Sequence, residues 1–326
     1  MDIGELRPIE PYLHPLCLER YLIPTDSISA TYALVLKVIR HRDSGLVIYG
    51  YPRYGKTSAM MYCQHCLKAE FPQMPVAIFN TKDEISPNKG GFYTTLLEVV
   101  HHKLAKQQCS VTIKHIRLVE LMAEEAKKDP RGLFILFIDE AQRMMLPHYQ
   151  WIKDIYNDLN LRGVTLLPIL VGQKELIDQK AALEKAGKDA ILDRFMLYEH
   201  AFRGILDRVD FETCLGYYDS SVFPANTDWT YTRFFFPLAY ANGFRLASSV
   251  DVLWDAFKES YEGIGFQSRM EIPMKYFTKT IEILMTDFSE RDQPEFSVSK
   301  DLCKEVIKES WYLAAGGNMK KTNPSM

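Results

Sequence analysis

Gly50-Tyr51-Pro52-Arg53-Tyr54-Gly55-Lys56-Thr57 fits the pattern G-x-x-x-x-G-K-[ST]. In such a loop, backbone N–H groups wrap the β- and γ-phosphates of a nucleotide. Lys56 is placed to reach the phosphates, and the Thr57 hydroxyl to ligate Mg²⁺. Four fixed positions out of eight arise by chance, so the flanking sequence decides. Ahead of the loop, Leu46-Val47-Ile48-Tyr49 follows Gly45 as a short apolar run that reads as a buried strand. Behind it, Ser58 opens a stretch to Glu70 that continues as a helix, whose N-terminus adds its dipole to an anion site. Strand, loop and helix together specify a nucleotide site spanning residues 50–58.

The chain has 326 residues, enough for a large core and about two domains, and a formal net charge of −3. That charge gives no global nucleic-acid signature, so contact with nucleic acid would be a local patch. No apolar run approaches the ~20 residues of a membrane span, and the first residues lack a signal-peptide layout. Six scattered cysteines suggest reduced thiols in a cytoplasm, and without an apolar span no membrane partner is expected. Cys63-Gln64-His65-Cys66 has the spacing of a metal half-site but no second half, and reads as two ordinary thiols on a helix.

Outward from the loop, residues 1–26 are rich in proline and read as an extended arm that packs on a neighbour or caps the nucleotide base. Ser27 caps an expected helix to residue 42, with Ile28, Tyr32, Val35, Leu36 and Ile39 on one face. Residues 75–80 read as a strand, 81–91 as a polar loop, and 92–107 and 112–128 as helices.

Leu133-Phe134-Ile135-Leu136-Phe137-Ile138 is six apolar residues in a row, followed by Asp139-Glu140. Such a run is a strand buried on both faces at the centre of a parallel sheet, and its C-terminal end is where open α/β sheets bind ligands. Asp139 is suited to the Mg²⁺ shell, and Glu140 to polarising an attacking water. A further inner strand over 164–171 ends in Gly172-Gln173. Gln173 there can sense the γ-phosphate, hold the water, or be a plain turn residue. Helical material is expected from 174 to 200, and alternating strands and helices over 45–172 predict a doubly wound α/β sheet. Beyond residue 204 the strand signal fades. Helices are expected over 210–218, 229–241, 245–261, 273–288 and 298–313, with Arg233-Phe234-Phe235-Phe236 as core. The division is an arm at 1–26, an α/β domain at 27–203, a helical lid at 204–313 and a flexible tail at 314–326.

Glutamate after an acidic strand, a polar strand-tip residue and a trailing helical domain resemble the AAA+ ATPases. More narrowly, GYPRYGKT, ILFIDEAQRM and LLPILVGQKEL look like the ATPase regulator of Tn-seven-type and CRISPR-associated transposons, the TnsC/TniB type. The resemblance spans about residues 20–285 and implies a slow, regulatory, Mg²⁺-dependent ATPase with ATP as cofactor. Arg53 departs from general AAA+ usage, which favours a small residue, but fits the transposon regulators. The resemblance makes Asp193-Arg194-Phe195 an arginine-finger box, with Arg194 reaching ATP in the adjacent subunit; Arg203 and Arg208 compete for that role. Gln173 takes the place of a first sensor, where asparagine is more usual, and Arg245 that of a second sensor or of a surface arginine at a helix start.

By the same resemblance, ATP drives assembly of rings or helical filaments, hexamer- or heptamer-like, around duplex DNA in a bacterial cytoplasm. A target-selection protein of TniQ type and the transposase are the implied partners. The expected DNA-facing segment carries Lys82, Lys89, Lys103, Lys106, Lys114 and Arg117, suited to sequence-independent phosphate contact. A nucleotide-dependent protein-binding scaffold that never touches DNA, and a replication-type loader of the same superfamily, are the competing readings.

Overall fold

The computed structural model describes residues 7–263 and 269–313; the tail expected at 314–326 lies outside them. The described residues form two compact units, one within Ser27–Pro52 and Lys56–Phe202, the other within Met1–Asp26, Arg53–Gly55 and Arg203–Met326.

In the first unit, α1 (Asp26–His41) precedes β1 (Leu46–Tyr49), α2 (Lys56–Glu70), β2 (Val76–Asn80), α3 (Lys89–Val99), α4 (Val111–Ala126) and β3 (Leu133–Asp139). Then come α5 (Leu146–Asn160), β4 (Thr165–Gly172), α6 (Glu175–Lys185), α7 (Asp189–Phe195) and β5 (Tyr198–Ala201). The strands make one parallel sheet in the order β2-β3-β4-β1-β5. Every residue of β3 is buried, as an apolar run demands of a strand covered on both faces. Side chains such as Phe134, Leu136 and Leu170 join Leu96, Met122 and Ile152 from the helices in one core. Each such side chain contributes roughly 1.5–3 kcal/mol by leaving water.

Four local expectations are corrected. Residues 198–201 are a strand, because the last four residues before the chain leaves the sheet pair in register with β1, Leu46 opposite Tyr198. The helix expected over 92–107 stops at Val99, where His101 turns left-handed (φ 58°) and the chain folds back to bury Ala105. Ser27 is buried inside the first turn of α1, whose inner face is Ile28, Thr31, Val35, Val38 and Ile39, with Tyr32 and Leu36 half-buried beside it. The helix expected over 229–241 is two short ones, discussed next.

The second unit holds α8 (Arg208–Ser220), α9 (Tyr231–Phe235), α10 (Pro237–Ala241), α11 (Val250–Gly263), α12 (Met274–Asp287) and α13 (Lys300–Glu309). Pro237 lacks an N–H and obstructs the preceding turn, so α9 ends and α10 begins there. The Asp292 carboxylate accepts from the N–H groups of Leu238 and Ala239, at 2.8 and 2.9 Å, and so caps α10. Phe234, Phe235 and Phe236 are fully inside, with Phe211, Phe257 and Phe277. Residues 7–26 pack on this same unit: Leu16 and Ile23 enter its core, and His14 is ringed by Phe223, Tyr231, Phe234 and Phe235. Burial pushes the His14 pKa down to about 4, so the ring is neutral at neutral pH.

Candidate nucleotide site

Parallel strands bring their C-terminal ends to one edge, and β1, β3 and β4 deliver the motif residues there. Tyr49 pairs with Gly172 and Asn80 with Asp139, so Lys56, Asp139, Glu140 and Gln173 follow from neighbouring strand tips. Lys56 is the first residue of α2, and its ammonium donates to the carbonyls of Gly50 and Tyr51, both at 2.8 Å. The lysine therefore folds back over its own loop. Burial lowers its pKa, and the carboxylates of Glu140, Asp139 and Glu175 pull it back up.

Thr57 donates its hydroxyl to Asp139 Oδ2 at 3.1 Å, and the Glu140 N–H donates to Asp139 Oδ1 at 2.9 Å. Asp139 is 5 % exposed. Burial raises its pKa, whereas those two donors, and the Lys56 charge, favour the anion. A hydroxyl oxygen and a carboxylate oxygen side by side form the hard donor pair that Mg²⁺ prefers, so the residues fit that ion. Glu140 sits in the left-handed region (φ 53°, ψ 36°), a conformation tolerated where the surroundings impose it. Gly55, with φ +101°, takes the loop through a turn that an L side chain would strain.

The remaining loop residues divide. Tyr54 is buried, while Pro52 and Ser58 are exposed. Arg53–Gly55 group with the helical unit, where the Lys275 N–H donates to the Arg53 carbonyl at 3.1 Å. The Arg53 guanidinium lies 5.4 Å from the Tyr276 ring centre and bonds its hydroxyl. Gln173 engages the site through its backbone, its N–H donating to Gln142 Oε1 at 3.1 Å. Arg194, on α7, bonds the Ala190 carbonyl at 3.0 Å beside the Tyr156 ring and has no carboxylate partner among the described residues. Its rivals are committed: Arg203 makes a two-pronged ion pair with Asp210, and Arg208 pairs with Asp251 and Asp255. Arg245 belongs to the helical unit and folds over the Tyr240 ring, 3.5 Å from its centre, donating to the Tyr240 and Phe244 carbonyls.

Of the basic residues expected at DNA, four are held by neighbouring side chains. Lys114 donates to Thr94 Oγ1 at 2.7 Å and bridges α4 to α3, and Arg117 donates to Gln107 Oε1 at 2.7 Å. Lys89 lies 3.5 Å from Asp154, and Lys106 lies 3.7 Å from Glu98. Lys82 and Lys103 are exposed. Sequence reasoning missed Gln142, Arg143 and Lys174. Lys174 lies over the Tyr51 ring, 3.7 Å from its centre, and bonds its hydroxyl. Gln142 stands two residues after Glu140, close enough to reach back, but spacing alone does not single it out.

Residues 39–179, under half of the chain, match the family model described as AAA domain. No curated protein matches the sequence significantly. Among solved structures, ORC2 of Aeropyrum pernix (ADPNP-ADP complexes) superposes with TM-score 0.56 at 11% identity, covering 91% of this chain and 71% of that one. The fold is that of the AAA+ P-loop NTPases. ORC1 of the same organism, in complex with DNA, aligns with TM-score 0.52 at 13% identity, over 88% of this chain and 64% of that one. The Walker-type ATPase PABY2304 of Pyrococcus abyssi gives 0.50 at 14% identity, over 94% and 77%. At these identities the likeness speaks for the AAA+ fold. No helix among the described residues is long and apolar enough to cross a membrane.

Proposed function

We propose that this AAA+ protein is a Mg²⁺-dependent ATPase that assembles on duplex DNA in its ATP form and regulates transposition, using hydrolysis to limit the assembly. The observation carrying the ATPase part is the hydrogen-bonded run from Thr57 through Asp139 to Glu140, with Lys56 folded over the adjacent carbonyls. Triphosphate oxygens would take the Lys56 ammonium from the Gly50 and Tyr51 carbonyls. Thr57 and Asp139 would hold Mg²⁺, which neutralises developing charge on the transferring phosphoryl group. Glu140 would accept a proton from the attacking water as its oxygen bonds phosphorus and the ADP oxygen leaves. Arg194, uncommitted to any acid among the described residues, is the side chain we assign to the neighbouring subunit's nucleotide.

The transposition reading is supported by the three motif stretches that resemble the TnsC/TniB regulators, and TniQ-type and transposase partners follow from it. Imaging the protein on duplex DNA of arbitrary sequence, with and without a non-hydrolysable ATP analogue, tests the assembly. Analogue-dependent rings or filaments are expected, lost in Lys56→Ala. A protein that hydrolyses ATP yet stays monomeric on DNA would refute the assembly and leave a nucleotide-driven scaffold.

A further inference from the structure

Just past the acidic strand, Ala141–Arg143 form a single tight turn that folds residue 142 back over residue 140. Gln142 Nε2 donates to Glu140 Oε2 at 2.7 Å. At its other end, Gln142 Oε1 accepts the Gln173 N–H at 3.1 Å, at the tip of β4. Its backbone carbonyl accepts from Gln179 Nε2 of α6 at 2.7 Å, and that same nitrogen holds the Met144 carbonyl at 2.9 Å. The position is thus gripped from three directions. Gly172 leaves room for it: a Cβ there would lie 2.6 Å from Gln142 Oε1.

The consequence falls on the two carboxylate oxygens of Glu140. Oε2 takes the Gln142 donor and lies 3.5 Å from Arg143 Nε, whose guanidinium also reaches Asp83 at 3.4 Å. Among the described residues no protein donor is bonded to Oε1. The last torsion of a glutamate is broad and roughly two-fold, so an untethered carboxylate does not keep one oxygen aimed at a fixed point. A base must stand within hydrogen-bond reach of the proton it takes, and small misplacements cost large factors in rate.

We propose that Gln142 is the positioning residue of Glu140: it fixes Oε2 to the β4 tip and leaves Oε1 turned to the attacking water. This rests on the water-activating role assigned to Glu140 above. Without Gln142, Arg143 is the nearest remaining donor and draws the carboxylate into an ordinary half-exposed ion pair. The polar residue at the β4 tip then acts through its backbone N–H and Gln142, with no demand on the Gln173 side chain.

Steady-state turnover and nucleotide titration on the full-length protein test this. In Gln142→Ala, kcat should fall about tenfold to a hundredfold with nucleotide affinity near wild type, and the thermal midpoint should drop only by what the lost Gln173 contact costs. Gln142→Glu keeps the length but loses the donor, and should fall at least as far. In a Glu140→Gln background, Gln142→Ala should bring no further loss. Wild-type kcat in Gln142→Ala, or a loss confined to affinity and thermal midpoint, would overturn the role. If Glu140→Gln itself turns over normally, the reading of Glu140 fails and this one with it. If Glu140→Gln stalls while Gln142→Ala runs at full rate, the positioning role alone is wrong.

Discussion

The strand-tip cluster and the segment from Lys82 to Arg117 are both rich in polar side chains, yet they use them in opposite ways. At the cluster, Lys56 is satisfied by loop carbonyls, and Thr57 and Asp139 by each other. Those are contacts that phosphate oxygens and a cation can replace one for one. In the 82–117 segment, Lys114 is tied to Thr94 and Gly90, and Arg117 to Gln107, bonds that join structural elements to one another. The difference teaches that a basic residue counts toward binding only when its native partner can be surrendered cheaply. Exchange of one oxygen for another is cheap; leaving a structural acceptor unpaired costs about 1–3 kcal/mol.

The same criterion separates the arginines and gives the largest effect. Arg203 is locked to Asp210: burial alone would raise that carboxyl's pKa, but the Arg203 bonds and the Leu206 N–H hold it below the ordinary range. Among the described residues Arg194 has only the Ala190 carbonyl and the Tyr156 ring to give up. If Arg194 serves a neighbouring nucleotide, adding Arg194→Ala chains to wild type should depress ATP turnover more than in proportion to their fraction. The pure variant should lose about 10³-fold or more in kcat. A strictly proportional fall would move the finger elsewhere, and a matching result for Arg203→Ala would break the criterion itself.

How much of this was legible in the sequence follows from the same physics. β1, β3 and β4 announce themselves because a strand buried on both faces must be apolar throughout, as Leu133 to Ile138 is. β5 does not: Tyr198-Glu199-His200-Ala201 is an edge strand whose residues are half-buried or exposed, so its composition matches a loop or a helix. The end of α3 at Val99 carries no Gly or Pro, and only the left-handed His101 marks it. Pro237 is a readable stop, since it lacks the N–H that a continuing turn needs. Lys56, Thr57, Asp139 and Glu140 could be named because their chemistry fixes their spacing. Gln142 could not, since its role depends on where Gln173 and Gln179 meet it across the sheet.

Among the lysines the effects are smaller. Lys82 and Lys103 are exposed, and among the described residues Lys106 has a loose partner in Glu98, so these three would yield to a DNA backbone at little cost. Replacing all three with alanine should flatten the log–log salt dependence of duplex binding by up to about 0.9 per lysine, whatever the DNA sequence. Lys114→Met is the counterpart. It removes the bonds to Thr94 Oγ1 and the Gly90 carbonyl, and should lower unfolding stability by about 0.5–1 kcal/mol in a denaturant titration, with the salt slope unchanged. Two outcomes would reverse the contrast between the regions: a triple variant with an unaltered slope, or a Lys114→Met protein of full stability and weakened DNA binding. The first would mean that DNA phosphates meet other side chains; the second, that DNA approaches α3 and α4 along the face where Lys114 serves as a brace, and that the brace yields on binding.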